Sequence, residues 1–197
     1  MEALDLIRQD TYANKRYEEY AYVLDDLPHG RPGIAHPTYH ARNIIQLVGE
    51  SFFTLLEAEP IRNATFKIRE RIYIGKSGRS KIYHIIGRIT YNDLTSTAKS
   101  ELPTVVETII TSNEKPFINF FNTSQPVTPR MHSLELIPGI GKKLILQILE
   151  QREKKPFTSF EDLQQRVNIS DPVKMLARRV LDELSSSEKY QLFTRPI

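Results

Sequence analysis

Two hydrophobic rhythms divide the chain. From about residue 19 to residue 91, β-branched and aromatic residues come in short, partly alternating runs. Beyond about residue 94 apolar residues return every three or four positions. The first rhythm predicts strands and the second helices, because strand side chains alternate faces and helix faces repeat with a period near 3.6. Five strands are expected, at Glu19–Leu24, Asn43–Val48, Phe52–Ala58, Phe66–Ile74 and Lys81–Tyr91. Gly49, Glu50 and Ser51 separate the second from the third, and GKSGRS, Gly75 to Ser80, reads as a hairpin loop between the last two. Five short strands suggest a small barrel or sandwich, since closure removes exposed edges. Thr95–Asn113 reads as a helix, with Asp93 as N-cap and Pro103 breaking or restarting it. The aromatic run KPFINFF, Lys115 to Phe121, is expected as core or as a wedge between domains. The stretch Asn122–Arg130, NTSQPVTPR, has the two prolines and small polar residues of a linker. The expected organisation is therefore a β domain over 1–121, a linker over 122–131 and a helical domain over 132–197.

Composition narrows the chemistry. The 197 residues are 40% hydrophobic and 26% charged, a globular composition. There is no cysteine, which excludes disulfides, thiolate metal sites and cysteine nucleophiles. The acidic start MEALDLIRQD has no apolar core of a secretory signal, and no apolar run is long enough to span a bilayer. A cytoplasmic protein with no membrane role is the expectation.

The net charge of +3 conceals a segregated pattern, because residues 62–88 carry eight basic residues and one acidic. In an extended Phe66–Ile74, Phe66, Ile68, Ile72 and Ile74 share one face with Glu70, while Lys67, Arg69, Arg71 and Tyr73 share the other. The loop adds Lys76 and Arg79, and the next strand opens with Lys81 and Tyr83. Cations neutralise phosphates and an aromatic ring stacks on a base, so this ribbon suits an oligonucleotide. An outer face that merely faces solvent is the blander alternative, but an ordinary surface mixes both signs of charge.

The sharper signal is LIPGIGKKLILQIL, Leu136 to Leu149. Leu134, Ile137, Ile140, Leu144, Ile145 and Ile148 keep helical spacing across a break at Pro138-Gly139-Ile140-Gly141. Two glycines permit a tight turn with accessible amides, and a helix starting near Gly141 points its free N–H groups and positive dipole end at that turn. With Lys142 and Lys143 beside it, the turn suits a backbone phosphate without reading bases. A plain αα-hairpin, or one that holds a protein partner, is the blander alternative.

These residues resemble the helix-hairpin-helix motif of nucleic-acid-binding proteins. PFTSFEDL, Pro156 to Leu163, looks like the connector between tandem copies, with Thr158 or Ser159 as a cap. A second copy would run through Phe160–Val167, a turn at Asn168–Pro172 and a final helix to about Leu184, with Asp171 as N-cap and Pro172 as first residue. Its turn NISDP lacks the glycines and reads as structural. The whole chain, including EPIRNATFKIRERIYIG from Glu59 to Gly75, resembles a family of uncharacterised archaeal proteins predicted to bind RNA or other nucleic acid. That resemblance implies an α+β fold: an N-terminal five-stranded OB-like β-barrel followed by an all-α tandem helix-hairpin-helix domain. It implies no catalytic residues and no cofactor.

The function expected is thus nucleic-acid binding, RNA favoured over DNA. The binding set is Lys67, Arg69, Arg71, Tyr73, Lys76, Arg79, Lys81, Gly139, Ile140, Gly141, Lys142 and Lys143. Two alternatives stay open. One is a metal-dependent phosphoesterase or nuclease using the loop histidines His29, His36 and His40. The other is an adaptor that binds protein in an RNA-associated complex. No phosphate-binding glycine loop of the nucleotide-hydrolase type and no serine-nucleophile motif is present.

Overall fold

A computed structural model describes residues 17–30, 43–186 and 188–195. Five strands form one antiparallel, curled sheet: β1 (Tyr20–Leu27), β2 (Ile44–Gly49), β3 (Leu55–Pro60), β4 (Arg71–Tyr73) and β5 (Ile82–Arg88), in the order β4-β1-β2-β3-β5. Five helices are seen among the described residues: α1 (Ser96–Ser112), α2 (Lys115–Thr123), α3 (Lys142–Lys154), α4 (Phe160–Arg166) and α5 (Pro172–Ser185). Two short strands, β6 (Pro126–Thr128) and β7 (Met131–His132), pair as a ribbon. The fold is α+β, as expected.

The contacts divide the chain into two compact units. The sheet unit comprises Tyr17–Val105 with the chain from Glu183 onward, and the helical unit comprises Val106–Asp182. The division falls inside α1 and inside α5, not at 122–131. That stretch, expected to be a linker, is the end of α2 followed by the β6–β7 ribbon. Asn122 explains the difference: its side chain accepts from the Phe157 N–H at 2.8 Å and donates to the Phe157 carbonyl at 2.9 Å. The start of the segment is thereby pinned to Phe157, although most of the residues that follow are exposed or half-buried.

In the sheet unit, Ala21, Val23, Ile45, Leu47, Leu56, Ala58, Ile72, Ile74 and Ile82 make the core, with Phe66 and Ile85 packed against it. β2 is central and buried on both faces, so its one polar side chain must be satisfied internally. Gln46 donates to Glu57 and to the Asp93 carbonyl, both at 3.0 Å, and accepts the Thr95 N–H at 2.9 Å. The β2–β3 turn is held by buried Glu18, whose carboxylate accepts from the N–H groups of Ser51, Phe52 and Thr54 at 2.8, 3.0 and 3.2 Å. Burial raises the Glu18 pKa against the lowering effect of those hydrogen bonds.

Several expectations change. The expected hairpin does not form: β4 pairs with β1 and β5 with β3, so β4 and β5 are opposite edges of an open sheet, not neighbours across a loop. The long strand from Phe66 to Ile74 shrinks to Arg71–Tyr73, because Lys67–Glu70 turn and Arg69 takes a left-handed φ of 67°. The alternation of faces stops there, and Ile68, assigned to the inner face, is 41% exposed. Pro103 does not break α1. It sits on the solvent side, while Ala98, Leu102, Val105, Val106, Ile109 and Ile110 are buried. Burying each of the larger side chains is worth about 1.5–3 kcal/mol, which together exceeds the roughly 3 kcal/mol cost of a helix-interior proline. Thr95, not Asp93, caps that helix by accepting the Ala98 N–H at 3.0 Å. Asp93 instead closes a short 3-10 turn with Thr90.

Candidate nucleic-acid interface

The helical unit follows the local signals closely. A 3-10 turn over Ser133–Leu136, shorter than the helix expected there, leads into the Pro138–Gly141 turn and α3. Leu134, Ile137, Ile140, Ile145 and Ile148 are buried, as their spacing predicts, while Leu144 of the same set is half-buried. Ser159 caps α4 by accepting the Asp162 N–H at 3.0 Å, and Asp171 caps α5 by accepting the Lys174 N–H at 3.1 Å with Pro172 behind it. Phe117, Ile118, Phe120 and Phe121 are buried, so KPFINFF is core. Within this unit Arg152 donates to the Phe121 and Ser124 carbonyls at 3.1 and 2.9 Å, tying α3 to the end of α2. Arg166 donates to the Lys155 carbonyl at 2.6 Å, pairs with Asp162 at 3.1 Å and stacks 4.5 Å from the Phe157 ring centre. These two arginines fix the direction of α3. They were not singled out from the sequence because their acceptors are main-chain carbonyls, which no residue pattern reveals.

At the start of α3, Gly139 has φ +92°, and a Cβ there would lie 2.9 Å from the Met175 methyl. Gly139 is therefore required by the turn. Gly141 is the N-cap, no side chain caps the helix, and nothing lies within 4 Å of where its Cβ would be. Lys142 and Lys143 are exposed, and neither has an acidic partner among the described residues. Ile140 departs from its expected role: its N–H donates to the Ile137 carbonyl at 3.0 Å and its side chain is buried, so it offers a phosphate nothing. The donors left at this site are the first amides of α3, which every helix start leaves without internal partners.

The sheet unit gathers the other predicted residues less tidily. Arg71 pairs with Glu50 at 2.8 Å and lies 3.6 Å from the Tyr20 ring centre. Arg69 pairs with Glu101 and Lys81 with Glu70. The bond to Glu101 raises the Arg69 pKa, and that to Lys81 lowers the Glu70 pKa. Arg79 donates to the Ile74 and Gly75 carbonyls at 3.0 and 2.6 Å, which fixes its position, and it has no ion pair among the described residues. Lys76 sits 4.3 Å above the Tyr17 ring. Lys67 is exposed with no ion pair among the described residues. Tyr73 packs edge-on against Tyr20 at 5.3 Å and its hydroxyl end fills the space a Gly75 Cβ would take, so its ring is not an open stacking platform. Arg71 and Tyr73 lie on β4, and Lys81 reaches the turn before β4 through Glu70; three of the cations in this window are already neutralised by carboxylates. The two groups of predicted residues lie in different units.

Of the histidines weighed for a metal, His29 is exposed in the turn after β1, and His36 and His40 lie outside the described residues. Among the described residues no group of three or more His, Asp or Glu is placed to hold a metal ion, and no helix is long and apolar enough to cross a membrane.

These features define a class: an α+β protein in which an uncapped helix start with two exposed lysines is built into a compact helical unit. The chain belongs to the family described as "protein of unknown function (DUF655)", which it matches over residues 17–195. It is 43% identical over 183 residues to the uncharacterized protein MJ0038 of Methanocaldococcus jannaschii, covering 92% of this chain and 82% of that one. It is also similar to the crystal structure of Af1531 from Archaeoglobus fulgidus, with a TM-score of 0.81, 46% identity, and coverage of 90% of this chain and all of that one.

Proposed function

We propose that the protein binds nucleic acid, with RNA favoured over DNA, mainly through the sugar–phosphate backbone and without a catalytic step. In this reading the Ser133–Lys154 segment is the first of two helix-hairpin-helix copies, and α4 and α5 are the second, which completes the core. The curled sheet is an oligonucleotide-barrel relative that has opened between β4 and β5. The observation that carries the proposal is the start of α3: uncapped amides, an open Gly141 and two exposed lysines without acidic partners. The dipole end and the two full charges attract the same anion, and a phosphate accepts from several N–H groups at once. The basic window of the sheet unit supplies weaker contacts through Lys67, Lys76 and Arg79, since Arg69, Arg71 and Lys81 are already paired with carboxylates, and linking two weak sites raises overall affinity.

Fluorescence anisotropy with a labelled single-stranded RNA, its DNA counterpart and their duplexes tests this. Binding is expected to weaken steeply with salt through counterion release. The double change Lys142→Glu and Lys143→Glu should reduce the slope of log K against log salt by about 2 and lower affinity for all sequences alike. Binding that ignores both salt and this change would overturn the proposal.

A further inference from the structure

The sheet unit also contains a cleft of about 450 Å³ that the binding site above does not use. Its walls are the β2–β3 turn, the end of β5 with the 3-10 turn after it, the last turn of α5 and the chain's final described residues. Each wall is fixed. Phe53 in the β2–β3 turn holds a left-handed φ of 52°, a strained conformation for a residue with a side chain. Thr90 and Asp93 close the 3-10 turn with bonds of 2.8 and 2.7 Å. Buried Glu183 accepts the N–H groups of Leu192, Phe193 and Thr194 at 2.7, 3.1 and 2.9 Å and the Thr194 hydroxyl at 2.9 Å. Arg195 lies 3.4 Å from the Phe52 ring centre.

The chemistry of the lining is uneven in an informative way. The Oε1 of Gln191 is buried without a hydrogen-bond partner among the described residues. Buried polar atoms are almost always paired, so an unpaired acceptor lining a cleft suits a donor brought in by a ligand. Two guanidinium groups, Arg88 and Arg195, line the same cleft. A guanidinium has five donors in a planar fork, so a contact already made leaves others for a phosphate or carboxylate. The two carboxylates in the lining are engaged, Glu183 as above and Glu188 by the Ser186 hydroxyl at 3.2 Å. A volume of this size is in the range that holds small ligands.

We propose that this cleft binds a nucleoside monophosphate group, its phosphate on Arg88 and Arg195 and an amino or imino N–H of its base on Gln191. The same chemistry is offered by a free mononucleotide and by the phosphorylated end of a strand. The inference stands independently of the α3 site.

The test is a titration of the full chain with AMP, GMP, CMP and UMP, followed by amide chemical shifts. At least one should give saturable shifts at residues 90–92 and 188–195. Gln191→Leu and Arg88→Gln should each weaken that binding about tenfold, and Lys142→Glu with Lys143→Glu should leave it unchanged. Competition by a 5′-phosphorylated RNA, but not by the same RNA circularised, assigns the site to a strand end. Competition by neither assigns it to a free mononucleotide. The proposal is overturned if no mononucleotide gives a saturable shift up to millimolar concentration, or if the shifts map elsewhere. It is equally overturned if both variants, folded by circular dichroism, bind as the wild type does. Should a variant not fold, the wild-type titration decides alone. Loss of RNA binding in the lysine variant with the cleft signal intact separates failure of one site from failure of the other.

Discussion

At the scale of single residues, the two glycines of the PGIGKK turn have different duties. Gly139 needs a left-handed backbone and abuts Met175, whereas Gly141 is extended and open. Gly139→Ala should therefore destabilise the protein by about 1–2 kcal/mol from the backbone alone, with further strain from Met175. Gly141→Ala should cost less, about 0.5–1 kcal/mol, because alanine is a poorer N-cap than glycine. If the α3 amides hold a phosphate, that methyl group obstructs its approach and RNA affinity falls without any loss of fold. Urea denaturation and anisotropy on the two variants separate these effects.

At the scale of elements, His132 joins the β6–β7 ribbon to the turn that precedes α3. Its Nδ1 accepts the Leu134 N–H at 3.1 Å, which requires the neutral ring. Burial, and secondly the nearby Arg152, lower its pKa from 6.5. The unfolded chain therefore takes up the proton first. Stability from this residue is complete above about pH 6.5 and is lost as pH falls through the lower folded value. Thermal melts from pH 7.5 to 5 should show this loss, and His132→Gln should flatten it. Asp171 behaves similarly at lower pH: its bond from the Lys174 N–H, the largest of several effects, lowers its pKa below 3.8. Replacing it by Ala should cost about 1 kcal/mol as a lost N-cap.

The elements also show what a sequence can and cannot reveal. Ser159, Asp171 and Pro172 act within three or four residues of themselves, so α4 and α5 were readable at their starts. So was the turn that opens α3, since glycines, lysines and helix are contiguous. Strand partners are chosen across the whole sheet, and alternation in Phe66–Ile74 carried no sign that β4 would pair with β1. The left-handed Arg69 was equally hidden, because nothing in FKIRERIYI signals a turn. Gln191, Arg88 and the β2–β3 turn meet in one cleft from positions far apart in the chain, which no local pattern could announce.

At the scale of the whole molecule, the basic window is weaker than its linear count. Glu50 and Glu101, both outside residues 62–88, pair with Arg71 and Arg69, and Glu70 pairs with Lys81. A phosphate must displace these carboxylates before using those cations. Lys67→Gln with Lys76→Gln should consequently weaken RNA binding and its salt dependence more than Arg69→Gln with Arg71→Gln, as read by anisotropy at two salt concentrations.

The carboxylate clamp at Glu183 also makes the tail of this protein indispensable. A stop codon placed after Tyr190 would remove three amides and a hydroxyl from a buried carboxyl group. An interior acceptor stripped of its donors costs about 1–3 kcal/mol, and more when it is charged. Removing Gln191 and everything after it should therefore lower the melting temperature out of proportion to the few side chains lost.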